Sequence, residues 1–323
     1  MSLVPMIRAL GRGPSFGRGL TRDEAREAMR IILAGEAAPE AVGALLMLMR
    51  YRGESAEEIA GFVEALRATL PAWPGPPPAL DWPSYAAGRS RGLPWFLLSA
   101  LLVARAGVPV LLHGRNGHQS PVASVRDALP RIGIAEATGV EDAARLIQRD
   151  GIAYLPLDAL SPGALHVLRL RDVLGLRSAI NTALRVLNPS GAAASVQGVF
   201  HPPYRALQAD ACALLGQPNM TVLKGGGGEF ERHPSKEIAL FGLRGGAPWA
   251  ETTRTLCDDT RRLADETPDP DDLCRLWAGD LDAPFARAIV LGTAALALDT
   301  VGQPDAERRA TELWEHRLAE HAT

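Results

Sequence analysis

The chain has 323 residues, of which 47% are hydrophobic and 22% are charged, and its formal net charge is −3. These values are typical of globular proteins and exclude a wholly disordered chain, while the length allows two domains of roughly 150 residues each. The near-neutral balance excludes a strong overall attraction to nucleic acid or to an anionic membrane. Charge is uneven along the chain, with twelve arginines against eight acidic residues over 81–200, and eight arginines against sixteen acidic residues over 251–323.

The cellular location is predicted from three features of the sequence. No apolar run reaches the ~18 residues that a membrane-spanning helix needs. The N-terminus lacks the apolar core and cleavage site of a secretory signal. The three cysteines, Cys212, Cys257 and Cys274, are odd in number and too far apart for a zinc site, as is typical of reduced thiols. We therefore expect a cytoplasmic protein.

The first elements along the chain are three helices predicted within residues 20–70, where apolar residues recur with helical periodicity. Capping-box patterns begin the first and the third helix, at Thr21 with Glu24 and at Ser55 with Glu58. The segment Pro71–Pro78 follows, with five prolines in eight residues. Because proline interrupts helices and central strands alike, we predict a stiff connector and a domain boundary here.

Beyond the connector, short apolar runs typical of buried strands alternate with helical segments. The predicted strands are Val108–Leu112, Ile152–Leu155, Ser195–Phe200, Met220–Leu223 and Ile238–Leu243. The predicted helices include Pro94–Arg105, Val140–Arg149 and Pro203–Leu215. This alternation predicts an α/β domain with a largely parallel sheet. Residues 163–187 are predicted to form two helices, and the tail from about Glu251 is predicted to be helical, with an acidic loop at Pro268–Asp272.

Four segments, in the same order, resemble anthranilate phosphoribosyltransferase. They are the helices from Leu20 to Arg67, GVPVLLHGRN at Gly107–Asn116, RDVLGLRSAINTALRVLNP at Arg171–Pro189 and VLKGGGGEFE at Val222–Glu231. The resemblance implies the α/β fold of the nucleoside phosphorylases and phosphoribosyltransferases, with a small discontinuous helical domain and a larger α/β domain with a mostly parallel sheet. The implied helical domain is 1–70 with 158–187, the Pro-rich hinge is 71–80, and the α/β domain is 81–157 with 188–323. It also implies a homodimer formed through the helical domain.

Three departures from the family fall in the half of the site that holds phosphate and metal. The family's glycine-rich loop, whose backbone N–H groups cradle a diphosphate, is replaced by YAAGRSRGLPWFLLS at Tyr85–Ser99. The Asp-Glu pair that carries magnesium is replaced by Phe230 and Glu231, and a phenylalanine cannot ligate a hard cation. A Gly-Pro pair is replaced by Leu184 and Arg185. We therefore expect a degenerate phosphoribosyl-diphosphate site without a cofactor, and magnesium only in an active transferase.

The positions that match the family lie in the other half of the site. Arg171 falls on the arginine that meets the anthranilate carboxylate, and Arg177, Asn181, His113 and Asn116 also match. A second, paralogous branch of the family has similar motifs, which here are Gly11–Gly13, Trp82–Tyr85 with Gly88 and Arg89, and Gly227–Glu231. That branch is associated with nucleic-acid binding, so the resemblance implies DNA or RNA as a partner.

The basic residues singled out above also have structural interpretations. Lys224 with Gly225–Gly228 could bind an anion or could form a strand-to-helix turn. Arg89 and Arg91 could contact phosphate or could be solvated loop residues. Arg171 and Arg177 could instead pair with acidic residues such as Asp172.

The other polar and aromatic candidates are open to the same two interpretations. His113 has no catalytic partner in the sequence pattern and is better interpreted as structural. Glu229 and Glu231, with Asp258 and Asp259, are better interpreted as solvated loop acids than as magnesium ligands. Three tryptophans could stack on bases or pack between the domains, namely Trp73, Trp82 and Trp95.

The sequence thus predicts a family member that binds nucleic acid without strong sequence preference. The alternative is an active phosphoribosyl- or glycosyltransferase with an unidentified aromatic or carboxylate acceptor, and no catalytic residue is assigned. The predicted ligand-binding residues are Arg89, Arg91, His113, Arg115, Asn116, Arg171, Arg177, Arg185, Lys224 and Gly225.

Overall fold

The structure is a computed structural model that describes residues 2–13, 15–86, 92–115, 123–259 and 269–318. Its N-terminal part is helical, and the helices are α1 (Val4–Gly11), α2 (Arg22–Leu33), α3 (Pro39–Arg52) and α4 (Ala56–Arg67). The three helices predicted over residues 20–70 are confirmed, and α1 precedes them. Both capping boxes are present, and such caps typically contribute about 1 kcal/mol each to helix stability.

Helices α2 and α4 form the tightest contact of the helical part. Gly61 lies where they cross, because a Cβ atom there would stand 2.3 Å from the carbonyl oxygen of Arg22. Glu58 at the start of α4 is buried and accepts hydrogen bonds from the backbone N–H groups of Ser55 and Leu20, each at 2.8 Å. The capping residue therefore also holds the chain that leads into α2.

A seven-stranded sheet forms the centre of the α/β part, in the order β3-β2-β1-β4-β5-β6-β7. The strands are β1 (Leu80–Ser84), β2 (Val110–Gly114), β3 (Ile152–Pro156), β4 (Ala194–Val199), β5 (Asn219–Lys224), β6 (Ala239–Arg244) and β7 (Ala247–Thr252). Strands β1 to β5 pair in parallel, whereas β6 and β7 are antiparallel. The predicted, largely parallel sheet is confirmed, and the five predicted strands match to within two residues at each end.

Two strands were not predicted from the sequence. Strand β1 contains Pro83, which argues against a central strand, yet its pairing with β4 involves Leu80 and Asp81 and ends before the proline. Strand β7, with the non-helical residues 253–259 after it, corrects the prediction that the tail is helical from about Glu251. It follows β6 through Gly245 and Gly246, both with positive φ, as a two-residue hairpin turn requires.

The remaining helices flank the sheet or return to the helical part. They are α5 (Phe96–Arg105), α6 (Val125–Ala128), α7 (Val140–Asp150), α8 (Leu157–Leu160), α9 (Pro162–Arg169), α10 (Arg171–Leu174), α11 (Ile180–Val186), α12 (Tyr204–Leu214), α13 (Asp272–Ala278), α14 (Pro284–Thr300) and α15 (Ala306–Glu315). Residues 163–187 are helical without a strand, as predicted, but in three pieces. Within the described residues, no helix is long and apolar enough to cross a bilayer.

Apolar residues form two clusters on opposite faces of the sheet. Leu111 of β2 belongs to the cluster that extends into α1 to α4, while Val110 and Leu112 belong to the cluster that includes α5 and α14. This alternation follows from the period of two in a strand. Because strands β1 to β5 are parallel, their carboxyl ends lie at one edge of the sheet, beside the helical part. Open α/β sheets usually bind ligands at this edge.

Candidate functional site

The predicted loop residues at this edge fall partly outside the described part of the chain. Strand β1 ends at Ser84 and is followed by Tyr85 and Ala86. Strand β2 ends at Gly114. Arg89, Arg91 and Asn116 lie outside the described residues, so the phosphate contacts expected of them stay predictions.

An aromatic cluster fills the space between β1, α5 and the segment that follows β5. The rings of Trp82 and Phe230 meet edge to face with centroids 5.5 Å apart, and Trp82 stacks on Phe96 at 6.2 Å. All three side chains are fully buried. Trp82 therefore packs in the core and is closed to base stacking. Trp73 and Trp95 are half-buried and pack against the two apolar clusters.

Two glutamates flank Phe230, and the prediction that they are solvated is wrong. Glu229 and Glu231 are both fully buried. The Oε1 atom of Glu229 accepts hydrogen bonds from Ser84 Oγ at 2.9 Å and from the N–H of Ala86 at 3.1 Å. The Oε2 atom of Glu231 accepts from the N–H of Phe96 at 3.1 Å, in the first turn of α5.

These contacts place the chain's own carboxylates on backbone donors in the stretch that the resemblance assigns to diphosphate. A helix N-terminus attracts anions because its N–H groups lack partners within the helix and carry partial positive charge. Here that attraction is directed at Glu231. Phe230 offers no ligand, and among the described residues no three acidic, histidine or cysteine side chains form a metal site. The described residues at this edge therefore do not fit a magnesium ion.

A buried polar network connects three strands behind this region. His113 Nδ1 lies 2.9 Å from the hydroxyl of Tyr85, and its Nε2 lies 3.0 Å from Asp81 Oδ1. Asp81 Oδ2 accepts a hydrogen bond from Ser195 Oγ at 2.8 Å. Burial raises the pKa of Tyr85 well above its usual value, so the phenol stays protonated. His113 has no exposed surface, which supports the structural interpretation, and its place among the ligand-binding residues stays a prediction.

An arginine-rich cavity of about 360 Å³ opens beside the helical part, and we call it the arginine pocket. Four guanidinium groups contribute to its wall, those of Arg50, Arg171, Arg177 and Arg185. The other lining residues are Gly175, Leu176, Ser178, Asn181, Thr182, Val199, Phe200, His201, Tyr204, Gln208 and Gly227. Aspartate and glutamate are absent from the described residues that line it. The arrangement favours an anionic ligand.

Within the described part of the chain, the guanidinium groups of Arg50 and Arg185 donate to uncharged oxygen atoms. Arg185 is almost fully buried and donates to the carbonyl oxygens of Asn181 at 2.8 Å and Tyr85 at 2.7 Å. Burial lowers its pKa to about 10, so it is charged at neutral pH. Burial, with the nearby charges of Arg171 and Arg50, lowers the pKa of Arg177. One guanidinium nitrogen of Arg171, Nη1, is buried and has no hydrogen-bond partner among the residues that the structure describes.

Arg50 and Tyr204 are among the lining residues that sequence reasoning missed. Arg50 comes from α3 and donates a short hydrogen bond to the hydroxyl of Tyr204 from α12, which in turn donates to Glu54 at 3.0 Å. Neither residue belongs to a motif that was singled out. Their meeting depends on how α3 packs beside α12, and only the common occurrence of arginine at helix ends hinted at Arg50.

The other predicted residues that the structure describes do not line the arginine pocket. Lys224 is exposed at the end of β5 and does not line it, and Arg115 lies 3.9 Å from Asp158. The glycine run after Lys224 forms a tight turn with φ of 64° at Gly227 and 94° at Gly228. The turn interpretation of the run therefore accounts for its glycines. Of the ten predicted residues, the pocket brings together Arg171, Arg177 and Arg185.

Comparison with known proteins agrees with this architecture. Two family models match the chain, the helical bundle domain of a glycosyl transferase family over residues 4–70 and the a/b domain of a glycosyl transferase family over residues 96–246. The anthranilate phosphoribosyltransferase of Methylobacterium nodulans is 30% identical over 80% of this chain and 74% of its own length. The chain belongs to the anthranilate phosphoribosyltransferase-like family. The resemblance seen in the sequence is thereby confirmed.

Other members of the anthranilate phosphoribosyltransferase-like family show the extent of the similarity. The enzyme of Rhizobium rhizogenes is 36% identical over 64% of this chain, and that of Mesorhizobium japonicum is 33% identical over 65%. The chain spans 61% and 62% of the length of these two relatives.

Solved structures confirm the fold class. The anthranilate phosphoribosyltransferase of Thermus thermophilus matches 95% of this chain and 92% of its own chain, with a TM-score of 0.78 and 27% identity. The yeast enzyme in complex with PRPP and Mg has a TM-score of 0.77 at 16% identity, over 97% of this chain and 92% of its own, and shows the shared fold alone.

Proposed function

We propose that this family member binds nucleic acid through the arginine pocket and does not transfer a phosphoribosyl group from phosphoribosyl diphosphate. The observation that carries the proposal is the pocket itself, where four guanidinium groups converge without an acidic residue among the described lining. Arginine suits phosphate because its planar fork can donate two parallel hydrogen bonds to one phosphate group.

The proposal that the chain does not transfer a phosphoribosyl group rests on the two buried glutamates. A diphosphate carries several negative charges, and near α5 it would meet the carboxylates of Glu229 and Glu231 already bonded to the backbone donors. The aromatic cluster of Trp82, Phe96 and Phe230 occupies the neighbouring space. Repulsion and bulk both oppose the substrate, and no described side chain replaces the magnesium acid.

Exposed rings at the mouth of the pocket favour nucleic acid as the anion. Phe200 is 53% exposed and meets His201 edge to face at 4.9 Å, and both line the pocket. Aromatic rings next to basic residues are typical of proteins that bind single strands, since every base has a face that can stack. Phosphate contacts and stacking carry little sequence information, so we expect sequence-tolerant binding.

Fluorescence anisotropy with a labelled single strand of ~20 nucleotides tests the proposal. We expect binding at low salt, and we expect the double variant Arg171→Ala, Arg177→Ala to weaken it at least roughly tenfold and to flatten the salt dependence by about one to two units. The matched control is Arg145→Ala, Arg149→Ala on α7, which removes two exposed arginines at a distance from the pocket. Absence of binding at low salt, or equal losses in both variants, contradicts the proposal.

A second candidate is a transferase with an aromatic carboxylate acceptor. The observation in its favour is the buried Nη1 of Arg171, which lacks a partner in the described part of the chain and which a carboxylate of a small ligand could also satisfy. Calorimetry with phosphoribosyl diphosphate and magnesium separates the two candidates. We expect no saturable heat at millimolar ligand, whereas micromolar binding or product formed from anthranilate favours the transferase.

A further inference from the structure

The size of the arginine pocket limits what can enter it. Its volume of about 360 Å³ is near the lower end for pockets that enclose small molecules, which run from roughly 300 to 1,000 Å³. Its walls come from α3, from α10 and α11, from the start of α12 and from the turn at Gly227. Such a cavity has room for about one nucleotide. An internal stretch of a strand would need both an entry and an exit, so the end of a strand fits the cavity better.

The charge of the pocket favours a dianion. A phosphodiester within a strand carries one negative charge, whereas a phosphate monoester carries about −1.5 to −2 at pH 7. The pocket holds the guanidinium groups of Arg50, Arg171 and Arg177 close enough that the pKa of Arg177 is lowered by burial and by the other two charges. A dianion relieves more of this repulsion than a monoanion does, and it can accept from the buried Nη1 of Arg171.

We propose that the arginine pocket binds a phosphate monoester at the end of a nucleic-acid strand, with the terminal base stacked on Phe200. This inference rests on the proposed nucleic-acid function and names the part of the strand that the pocket selects. A free mononucleotide presents the same monoester, so the experiment must distinguish the two sources. Selection of a strand end is compatible with sequence-tolerant binding, because neither the phosphate contact nor the stacking contact reads base edges.

The test compares three oligonucleotides of one sequence, ~12 nucleotides long. One carries a 5′-phosphate, one carries a 3′-phosphate, and one ends in hydroxyl groups, with the fluorophore on the end opposite the phosphate. We expect anisotropy at ~150 mM salt to show at least tenfold tighter binding of one phosphorylated strand than of the hydroxyl strand. Arg171→Ala and, separately, Phe200→Ala should reduce this ratio, while Arg145→Ala should preserve it.

The outcomes separate this inference from the function on which it rests. Equal affinity for all three strands overturns selection of the terminal phosphate and leaves nucleic-acid binding in place. Failure of all three to bind at low salt overturns the proposed function itself. If a 5′-mononucleotide competes as strongly as the phosphorylated strand, the pocket does not distinguish a strand end from a free mononucleotide, and the inference that it selects strand ends is wrong. Arg171→Lys keeps the charge without the fork, and a folded Arg171→Lys variant with a reduced ratio supports the inference.

Discussion

Glu231 places a fully buried carboxylate against the first peptide N–H of α5. The N-terminal turn of a helix carries a partial positive charge, so the contact stabilises the carboxylate and the start of the helix together. Glu229 accepts hydrogen bonds from Ser84 and Ala86, at and just after the end of β1. At the scale of single residues, the two carboxylates therefore connect the segment after β5 to the neighbouring strand and helix.

We expect Glu231→Gln to lower the free energy of unfolding by about 1–2 kcal/mol, because a hydrogen bond to a charged group is replaced by a neutral one inside the core. The matched control is Glu141→Gln, an exposed glutamate in the first turn of α7, which should lose at most about 1 kcal/mol. Urea unfolding followed by circular dichroism measures both variants. A loss in Glu231→Gln no greater than that of the control contradicts this role.

At the scale of elements, periodicity and caps predicted most of the fold. In the capping boxes at Thr21 and Ser55 the partner residue is close by in the sequence, so local sequence was enough to locate α2 and α4. Strand β1 could not be found in this way, because the tolerance of Pro83 depends on where the pairing with β4 ends. Strand β7 was missed although two glycines precede it, which is a recognised hairpin signal.

The site was harder to predict than the fold, and for a physical reason. Arg171, Arg177 and Arg185 lie in one segment whose motif resembles the family, so the sequence placed them together. Arg50 joins them from α3, about 120 residues earlier in the chain, through packing that leaves no local signal. The burial of Glu229 likewise depends on donors that other elements supply. Contacts between distant segments are set by tertiary structure alone.

The crossing of α2 and α4 gives a prediction at this scale. We expect Gly61→Ala to lower the free energy of unfolding by about 1–3 kcal/mol, because the added methyl group would meet the backbone of α2 at 2.3 Å. Gly43→Ala in α3 is the matched control. Its Cβ would lie 3.5 Å from a methyl carbon of Leu174, so the higher helix propensity of alanine should leave stability unchanged or raise it by up to about 1 kcal/mol.

Thermal or urea unfolding of the two glycine variants checks this prediction. Opposite signs for the two substitutions are the expected result, since both glycines lie inside helices and differ in the space around them. Similar changes in both variants would mean that helix propensity, and not the close approach of α2, decides the effect at Gly61.

At the scale of the whole molecule, exposed apolar side chains are concentrated in the helical part. Of the seven large hydrophobic residues that are exposed among those described, five lie in or beside the helices of the N-terminal segment and α10. They are Val4, Phe16, Tyr51, Val173 and Leu176. Leu176 also lines the arginine pocket, so we propose that Val4, Phe16, Tyr51 and Val173 contribute to a two-fold interface between two copies of the chain, in which the same surface of each copy is covered.

We expect light scattering at micromolar concentration to give twice the 34.4 kDa mass of one chain. Tyr51→Glu should shift the mass towards one chain, because Tyr51 is 91% exposed and a charge there would be buried by the partner. The matched control is Leu318→Glu, at an exposed apolar residue near the end of the described chain, which should remain dimeric. A mass of one chain for the unmodified protein contradicts the proposed dimer.

The contact between Phe230 and Trp82 constrains how this lineage can change. Phe230→Asp alone would place a third carboxylate between Glu229 and Glu231 in a space without solvent, at a cost of several kcal/mol against a typical total stability of about 5–15. Truncating Trp82 first would open a cavity, and removing Glu231 first would release the start of α5. Each single step towards a metal-binding acid thus passes through a less stable chain. The filled core around Phe230 and Trp82 therefore works against the appearance of a metal-binding acid at this position.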